Sequence, residues 1–177
     1  LHAILVGDGE VPPRAALDAA WPGWDADATL VVAADGGATK ARLVGLRPDL
    51  VVGDADSLDA AGLAAVWAAG IPVELATAAK DESDLELAAL AALARGATRI
   101  TVLGALGGPR FDHALANAWL LAHPELAGRA VVLLDATTRI RLLDAGPRPA
   151  TAELRGRAGD LVSLFPFGAD AEGVSTE

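Results

Sequence analysis

Short, largely apolar runs rich in Val, Ile and Leu alternate with alanine- and leucine-rich stretches along the first three-quarters of the chain. Apart from Thr29, Glu74, Arg99 and Thr101, the residues of these runs are apolar: Ala3–Val6, Thr29–Ala34, Leu50–Val52, Val73–Leu75, Arg99–Leu103 and Val131–Leu134. Between them the composition predicts helices over Pro13–Ala20, Ala38–Val44, Ala60–Ala69, Asp84–Ala94 and Asp112–Ala122. Parallel strands need a crossover, usually a helix, and are buried on both faces, so they read as unbroken apolar runs. The pattern therefore predicts an α/β fold, a mostly parallel three-layer sheet of Rossmann-like type with helices on both faces.

The rhythm changes after about Arg129. Val131–Leu134, Arg139–Leu143, Ala152–Leu154 and Leu161–Phe165 read as β segments with no helix between them. We expect an α/β domain over residues 1–128 and the opening of an all-β sandwich unit over 129–177. An independently stable sheet usually needs three or more strands with a covered face, so this short unit is expected to be truncated or completed by a partner. A chain of 177 residues suits one domain with a small appendage. It contains no cysteine, which excludes a disulfide framework, a thiol nucleophile and a thiolate zinc site.

In an open α/β sheet, ligands bind beyond the carboxyl ends of the strands. Those ends are where the acids and glycines gather. Thr29–Ala34 runs into Asp35-Gly36-Gly37, and Leu50–Val52 into Gly53-Asp54-Ala55-Asp56-Ser57. Val73–Leu75 is followed by Lys80-Asp81-Glu82-Ser83-Asp84, and Arg99–Leu103 by a glycine-rich stretch ending in Arg110-Phe111-Asp112-His113. The opposite ends carry nothing comparable. Each motif also has a purely structural reading. Asp35 suits an Asx turn, Gly36 and Gly37 suit tight turning, and Ser83 with Glu86 forms a capping box before an apolar helix. Asp81 and Asp84 suit a helix N-terminus, and His113 alone suits a structural role.

Convergence favours chemistry. Two carboxylates about 4 Å apart repel by roughly 4 kcal/mol at an effective dielectric near 20. Several acids at one sheet edge therefore require a cation. With oxygen ligands only, Mg²⁺ fits, sharing phosphate oxygens of a nucleotide such as ATP. Glycines let backbone N–H groups approach those phosphates, and Lys80 and Arg110 supply fixed positive charge. The overall balance of 14 basic and 24 acidic residues, a net charge of −10, argues against a nucleic-acid partner. No apolar run reaches the roughly 20 residues of a membrane helix, and no basic segment precedes an apolar core at the N-terminus. We expect a cytoplasmic protein with no membrane partner. Walker A, dinucleotide, zinc-protease and nucleophile-elbow signatures are all missing.

Taken in order, four segments resemble the thiamine diphosphokinase (thiamin pyrophosphokinase) family. They are Ala33-Ala34-Asp35-Gly36-Gly37-Ala38, Pro48-Asp49-Leu50-Val51-Val52-Gly53-Asp54-Ala55-Asp56-Ser57, Lys80-Asp81-Glu82-Ser83-Asp84-Leu85-Glu86 and Arg110-Phe111-Asp112-His113-Ala114-Leu115-Ala116-Asn117. Gly159–Pro166 is similar to the start of that family's β-sandwich. The resemblance implies transfer of diphosphate from ATP to thiamine, giving thiamine diphosphate and AMP, in a homodimer with thiamine near the dimer interface. It implies Asp35, Asp54, Asp56, Asp81 and Asp84 as Mg²⁺ and phosphate ligands. Gly36, Gly37, Ser57, Lys80, Arg110, His113 and Asn117 become ATP contacts alongside Asp35 and Asp84. Asp54, Asp56 and Asp81 become catalytic acids, joined by Asp112, which would orient or deprotonate the acceptor hydroxyl. Thr39 stands where the family commonly has Asn, and Pro109 separates Gly108 from Arg110 where the family runs Gly-Arg directly. The competing expectations are a 6-hydroxymethylpterin diphosphokinase, a non-catalytic Mg–ATP-binding module and a purely structural α/β domain.

Overall fold

A computed structural model of the chain describes residues 1–54, 60–76, 81–144 and 150–176. Seven strands form one sheet: β1 (His2–Val6), β2 (Ala28–Ala34), β3 (Leu50–Gly53), β4 (Val73–Leu75), β5 (Arg99–Leu103), β6 (Ala130–Leu134) and β7 (Arg139–Ile140). Among the described residues five α-helices connect them, α1 (Arg14–Ala20), α2 (Gly37–Leu43), α3 (Ala60–Ala68), α4 (Asp84–Ala94) and α5 (Phe111–Leu120), with a short 3-10 turn at Pro124–Leu126. The strand order is β4-β3-β2-β1-β5-β6-β7, and every pairing is parallel except that of β7 with β6. The order reverses at β1, which pairs with β2 on one side and β5 on the other.

Alternation along each strand sends side chains to two apolar layers. Ala3 and Leu5 of β1, Val32 and Ala34 of β2 and Ile100 and Val102 of β5 pack with Leu85, Ala88, Ala89 and Ala92 of α4. On the other face, Ile4 and Val6 pack with Leu17 of α1 and Ala41 of α2, and Ala33 and Val51 pack with Val66 of α3. Burying a leucine such as Leu17 completely is worth about 1.5–3 kcal/mol, far more than the intrinsic propensity of a seven-residue helix. The helices hold because the sheet covers their apolar sides. α5 is the exception: none of its residues is fully buried, and Phe111, Leu115 and Trp119 remain exposed.

The six expected strands and five expected helices are all present, with ends shifted by two residues at most. The expected change of architecture at Arg129 is not. β6 continues the parallel sheet beside β5, and β7 closes its edge, so the compact first unit runs from Leu1 to Leu142. Val131–Leu134 lacks a helix after it and so reads like a β-only segment, yet its apolar side chains find the open edge of β5. The second unit, Leu143–Glu177, contains no strand among its described residues. Ala152–Leu154 and Leu161–Phe165 have β-rich composition but pair with nothing described, and a strand without a neighbour has no ladder of hydrogen bonds to hold it. The sandwich unit expected from residue 129 is therefore not observed.

At the amino end of the sheet, away from the loops of interest, His2 is buried beside Thr101, Arg99 and the Ala26 carbonyl. Its Nε2 lies 2.9 Å from Thr101 Oγ1. Its Nδ1 lies 3.0 Å from the Ala26 oxygen and 2.9 Å from Arg99 Nη2. Burial lowers the imidazole pKa below its ordinary value of 6.5, and the neighbouring Arg99 cation adds to the effect, against opposing contributions from Ala26, Asp27 and Asp25. The folded chain thus binds fewer protons at His2 than the unfolded chain does. Stability contributed by neutral His2 is full above pH 6.5 and is lost as pH falls through that value toward the lower folded pKa. Urea unfolding at pH 7.5 and 5.5 should show a drop in midpoint that is smaller in His2→Gln; an equal drop in both proteins would contradict this.

Candidate active site

β2 ends where Asp35 takes a left-handed backbone conformation (φ 47°), one that Asp tolerates better than most residues. Its N–H donates to the Val52 carbonyl at 2.9 Å, tying the turn to β3. Gly36 and Gly37 then open α2. A Cβ on Gly37 would lie 1.9 Å from the Val6 carbonyl oxygen, so only glycine lets the first turn of α2 settle against the end of β1.

The end of β3 is equally constrained. Gly53 has φ 152°, and a Cβ there would meet Asp35 Cβ at 3.0 Å and Asp84 Oδ1 at 3.3 Å. Removing the side chain at 53 makes room for two acids. Asp84 arrives as the first residue of α4, whose N-cap is Ser83; the Ser83 hydroxyl accepts from the Glu86 N–H at 3.2 Å. Of the expected capping box the Ser83 half is present, Glu86 Oε1 lying instead 3.3 Å from His123 Nε2, and the cap is not Asp84.

These turns bring three of the expected ligands together. One carboxylate oxygen from each of Asp35, Asp54 and Asp84 lies within 4.8 Å of the others. Asp35 is buried and the other two are half-buried. Repulsion across such a distance is of the order of 3 kcal/mol per pair at an effective dielectric near 20. The donor set is all oxygen, which suits Mg²⁺ better than a transition metal. The helix dipole at the start of α4 also favours an acid at Asp84.

The remaining expected residues divide. Asp56, Ser57 and Lys80 lie outside the described residues. Asp81 is exposed and not in the group of three; it lines a groove of about 420 Å³ with Ser83, Glu86, Trp119 and His123. Asn117 Nδ2 donates to the Ala105 carbonyl at 2.9 Å, fastening α5 to the loop after β5. Arg110 and Asp112 are paired with each other, Nε to Oδ1 at 2.9 Å and Nη2 to Oδ2 at 2.6 Å. That hydrogen bond, with smaller help from the His113 backbone N–H, lowers the Asp112 pKa to about 2. A carboxylate so acidic is a weak proton acceptor at neutral pH.

One nearby acid escaped the sequence reasoning. Asp8 follows β1, and a Cβ on Gly36 would fall 2.3 Å from its Oδ1. The signal is its place in Gly7-Asp8-Gly9, directly after the apolar run that forms β1, the same carboxyl edge where the other acids gather.

The family described as thiamin pyrophosphokinase, catalytic domain, matches residues 24–133, more than half of the chain. The chain belongs to the thiamin pyrophosphokinase family. A solved thiamin pyrophosphokinase family protein from Enterococcus faecalis is 30% identical with a TM-score of 0.64, covering 80% of this chain and 64% of its own. Thiamin pyrophosphokinase from Geobacillus thermodenitrificans is 30% identical with a TM-score of 0.61, covering 76% and 60%. Thiamine pyrophosphokinase from Bacillus subtilis is 28% identical with a TM-score of 0.64, covering 79% and 63%. No curated protein matches significantly. The chain therefore spans a little under two-thirds of the length of these family members. The matched region contains Asp35, Asp54 and Asp84 together with Arg110, Asp112 and Asn117.

Two outcomes follow from this geometry. Mg²⁺ at a hundred times its Kd should add about 2.7 kcal/mol to the stability of the folded chain, and Asp84→Asn should remove most of that gain in a thermal melt. Gly37→Ala should cost the upper end of the roughly 1–3 kcal/mol typical of overpacking, because the clash is with backbone. Chemical denaturation would show whether the loss is that large.

Proposed function

We propose that this chain carries the ATP-binding, catalytic part of a thiamine diphosphokinase, which moves the diphosphate of ATP onto the hydroxyl of thiamine and releases AMP. The observation that supports it most is the meeting of Asp35, Asp54 and Asp84 at the carboxyl edge of the sheet within a thiamin pyrophosphokinase catalytic region. Asp35, Asp54 and Asp84 would hold Mg²⁺, and we assign Asp56 and Asp81 to the same set of Mg²⁺ and phosphate contacts. When bound, Mg²⁺ supplies neutralising charge for the phosphate chain.

The chain's own groups do the rest by positioning. Diphosphoryl transfer needs in-line alignment and charge compensation more than covalent participation by the protein. The acceptor oxygen bonds to the β-phosphorus as its proton passes to water, the bond from that phosphorus to the oxygen bridging it to the α-phosphorus breaks, and AMP leaves with the electron pair. Gly36 and Gly37 offer backbone at the start of α2, and Ser57, Lys80, Arg110 and His113 are the polar contacts we assign to ATP. Asn117 is assigned to the same side, where its hydrogen bond to Ala105 orders the loop after β5. We further propose that the protein works as a cytoplasmic homodimer. No described helix is long and apolar enough to cross a membrane. The assignment of the tail to a thiamine-binding sandwich rests on the resemblance of Gly159–Pro166.

Incubation with ATP, Mg²⁺ and thiamine should yield thiamine diphosphate and AMP in equal amounts by chromatography. Formation of pterin diphosphate alone, when 6-hydroxymethylpterin is offered in competition, would overturn the assignment of acceptor. Asp54→Asn should reduce turnover on the order of a hundredfold or more while its melting temperature in the absence of Mg²⁺ does not fall. Near-normal turnover in that variant would remove Asp54 from the metal site.

A further inference from the structure

Arg110 and Asp112 make an exposed pair with an unusual division of labour. Each side chain is 63% exposed, and the two-point hydrogen bond uses Nε and one hydrogen of Nη2. A guanidinium has five N–H donors in a rigid plane. The contact with Asp112 therefore leaves three, both on Nη1 and one on Nη2, along the edge that suits two-point binding of a phosphate. No hydrogen bond from Nη1 to the protein occurs among the described residues.

Asp112 is itself well anchored. It lies in the first turn of α5, where the helix dipole favours a carboxylate, and the nearby His113 backbone N–H also favours its ionised form. Arg110 sits one residue before that helix, after Gly107, Gly108 and Pro109, in a loop that offers it little packing. Without an anchor, ordering a long arginine side chain costs up to about 2 kcal/mol of rotamer freedom on ligand binding.

We propose that Asp112 is a positioning residue for Arg110, holding the guanidinium plane so that its outer edge receives a phosphate oxygen of the nucleotide, and that it is not the base for the acceptor hydroxyl. The inference rests on the proposed nucleotide-binding function and assigns a residue within it. It also explains why so exposed a side chain would be held by two contacts: the anchoring lowers the entropy cost of using Arg110, at the expense of part of its net charge.

The full chain, titrated with Mg–ATP by calorimetry, separates the possibilities. Asp112→Asn, Asp112→Ala and Arg110→Ala should each weaken binding by on the order of tenfold, the loss expected for a charged hydrogen bond. The double variant Arg110→Ala with Asp112→Asn should bind no worse than Arg110→Ala alone. In steady-state assays Asp112→Asn should raise KM for Mg–ATP and leave kcat at saturation within about threefold, a factor worth less than 1 kcal/mol of barrier. Circular dichroism and melting temperature of each variant should match the parent, since both side chains are exposed. Additive losses in the double variant would mean that Asp112 acts independently of Arg110, and unchanged affinity in Asp112→Asn would mean that it holds nothing of consequence. A hundredfold fall in kcat for Asp112→Asn that persists with Arg110→Ala would make it the base instead. Each of these outcomes overturns the inference while leaving nucleotide binding intact. Failure of the parent chain to bind Mg–ATP at all would overturn both.

Discussion

Like charges drawn into one corner of a fold cost free energy, and the structure accepts that cost at Asp35, Asp54 and Asp84. Their oxygens lie within 4.8 Å of one another at the edge of an otherwise apolar sheet. Nothing about packing requires acids there. The neighbouring positions on β2 and β3 are buried aliphatic residues, and an uncharged Asn or Gly would suit the left-handed turn at 35 as well as Asp does. A charge arrangement that destabilises the ligand-free chain makes sense when a cation and an anionic substrate complete it. The local backbone agrees, since Asp35 occupies a conformation that few side chains adopt and Gly53 gives up its side chain to admit two carboxylates.

The sheet supplies the rigidity that such a site needs. β1 sits between β2 and β5 with both of its faces covered, and Gly7 and Gly9 extend its pairing onto Leu103 and Gly104 past the strand ends. The loops after β1, β2 and β5 are thereby interlocked through backbone contacts at glycine. Close backbone approach of this kind fixes where the side chains of Asp8 and Asp35 emerge, and it does so without any side chain of its own that a ligand would have to displace. Positioning is thus delegated to backbone, leaving polar side chains for the ligand.

How much of this was legible depended on whether local pattern and tertiary partner agreed. The parallel strands announced themselves because both faces are buried, giving unbroken runs such as Val31-Val32-Ala33-Ala34. The convergence of Asp35, Asp54 and Asp84 followed from chain direction alone, since parallel strands put all their carboxyl ends on one edge. Val131–Leu134 was misassigned to a new unit because no helix follows it, and composition cannot tell a last parallel strand from a first sandwich strand. Ala152–Leu154 and Leu161–Phe165 show the converse, β-rich composition without a described neighbour to pair with. The bond between Arg110 and Asp112 was invisible because a spacing of two residues fixes no side-chain geometry at the junction of a loop and a helix.

The start of α4 shows how a structural and a functional reading can both hold for one motif. Ser83, Asp84 and Glu86 all have the chemistry of a helix N-terminus, and sequence alone cannot divide the work among them. The structure does. Ser83 accepts the Glu86 N–H, so the cap is satisfied one residue before Asp84. Asp84 still gains from the helix dipole, yet its side chain is turned toward Gly53 and Asp35. The dipole that favours an acid at this position therefore also offsets part of the repulsion the acid meets in the cluster, with contributions of about 0.3–1 kcal/mol against about 3 kcal/mol per neighbouring carboxylate. The remainder is the part of the repulsion that a bound cation would offset.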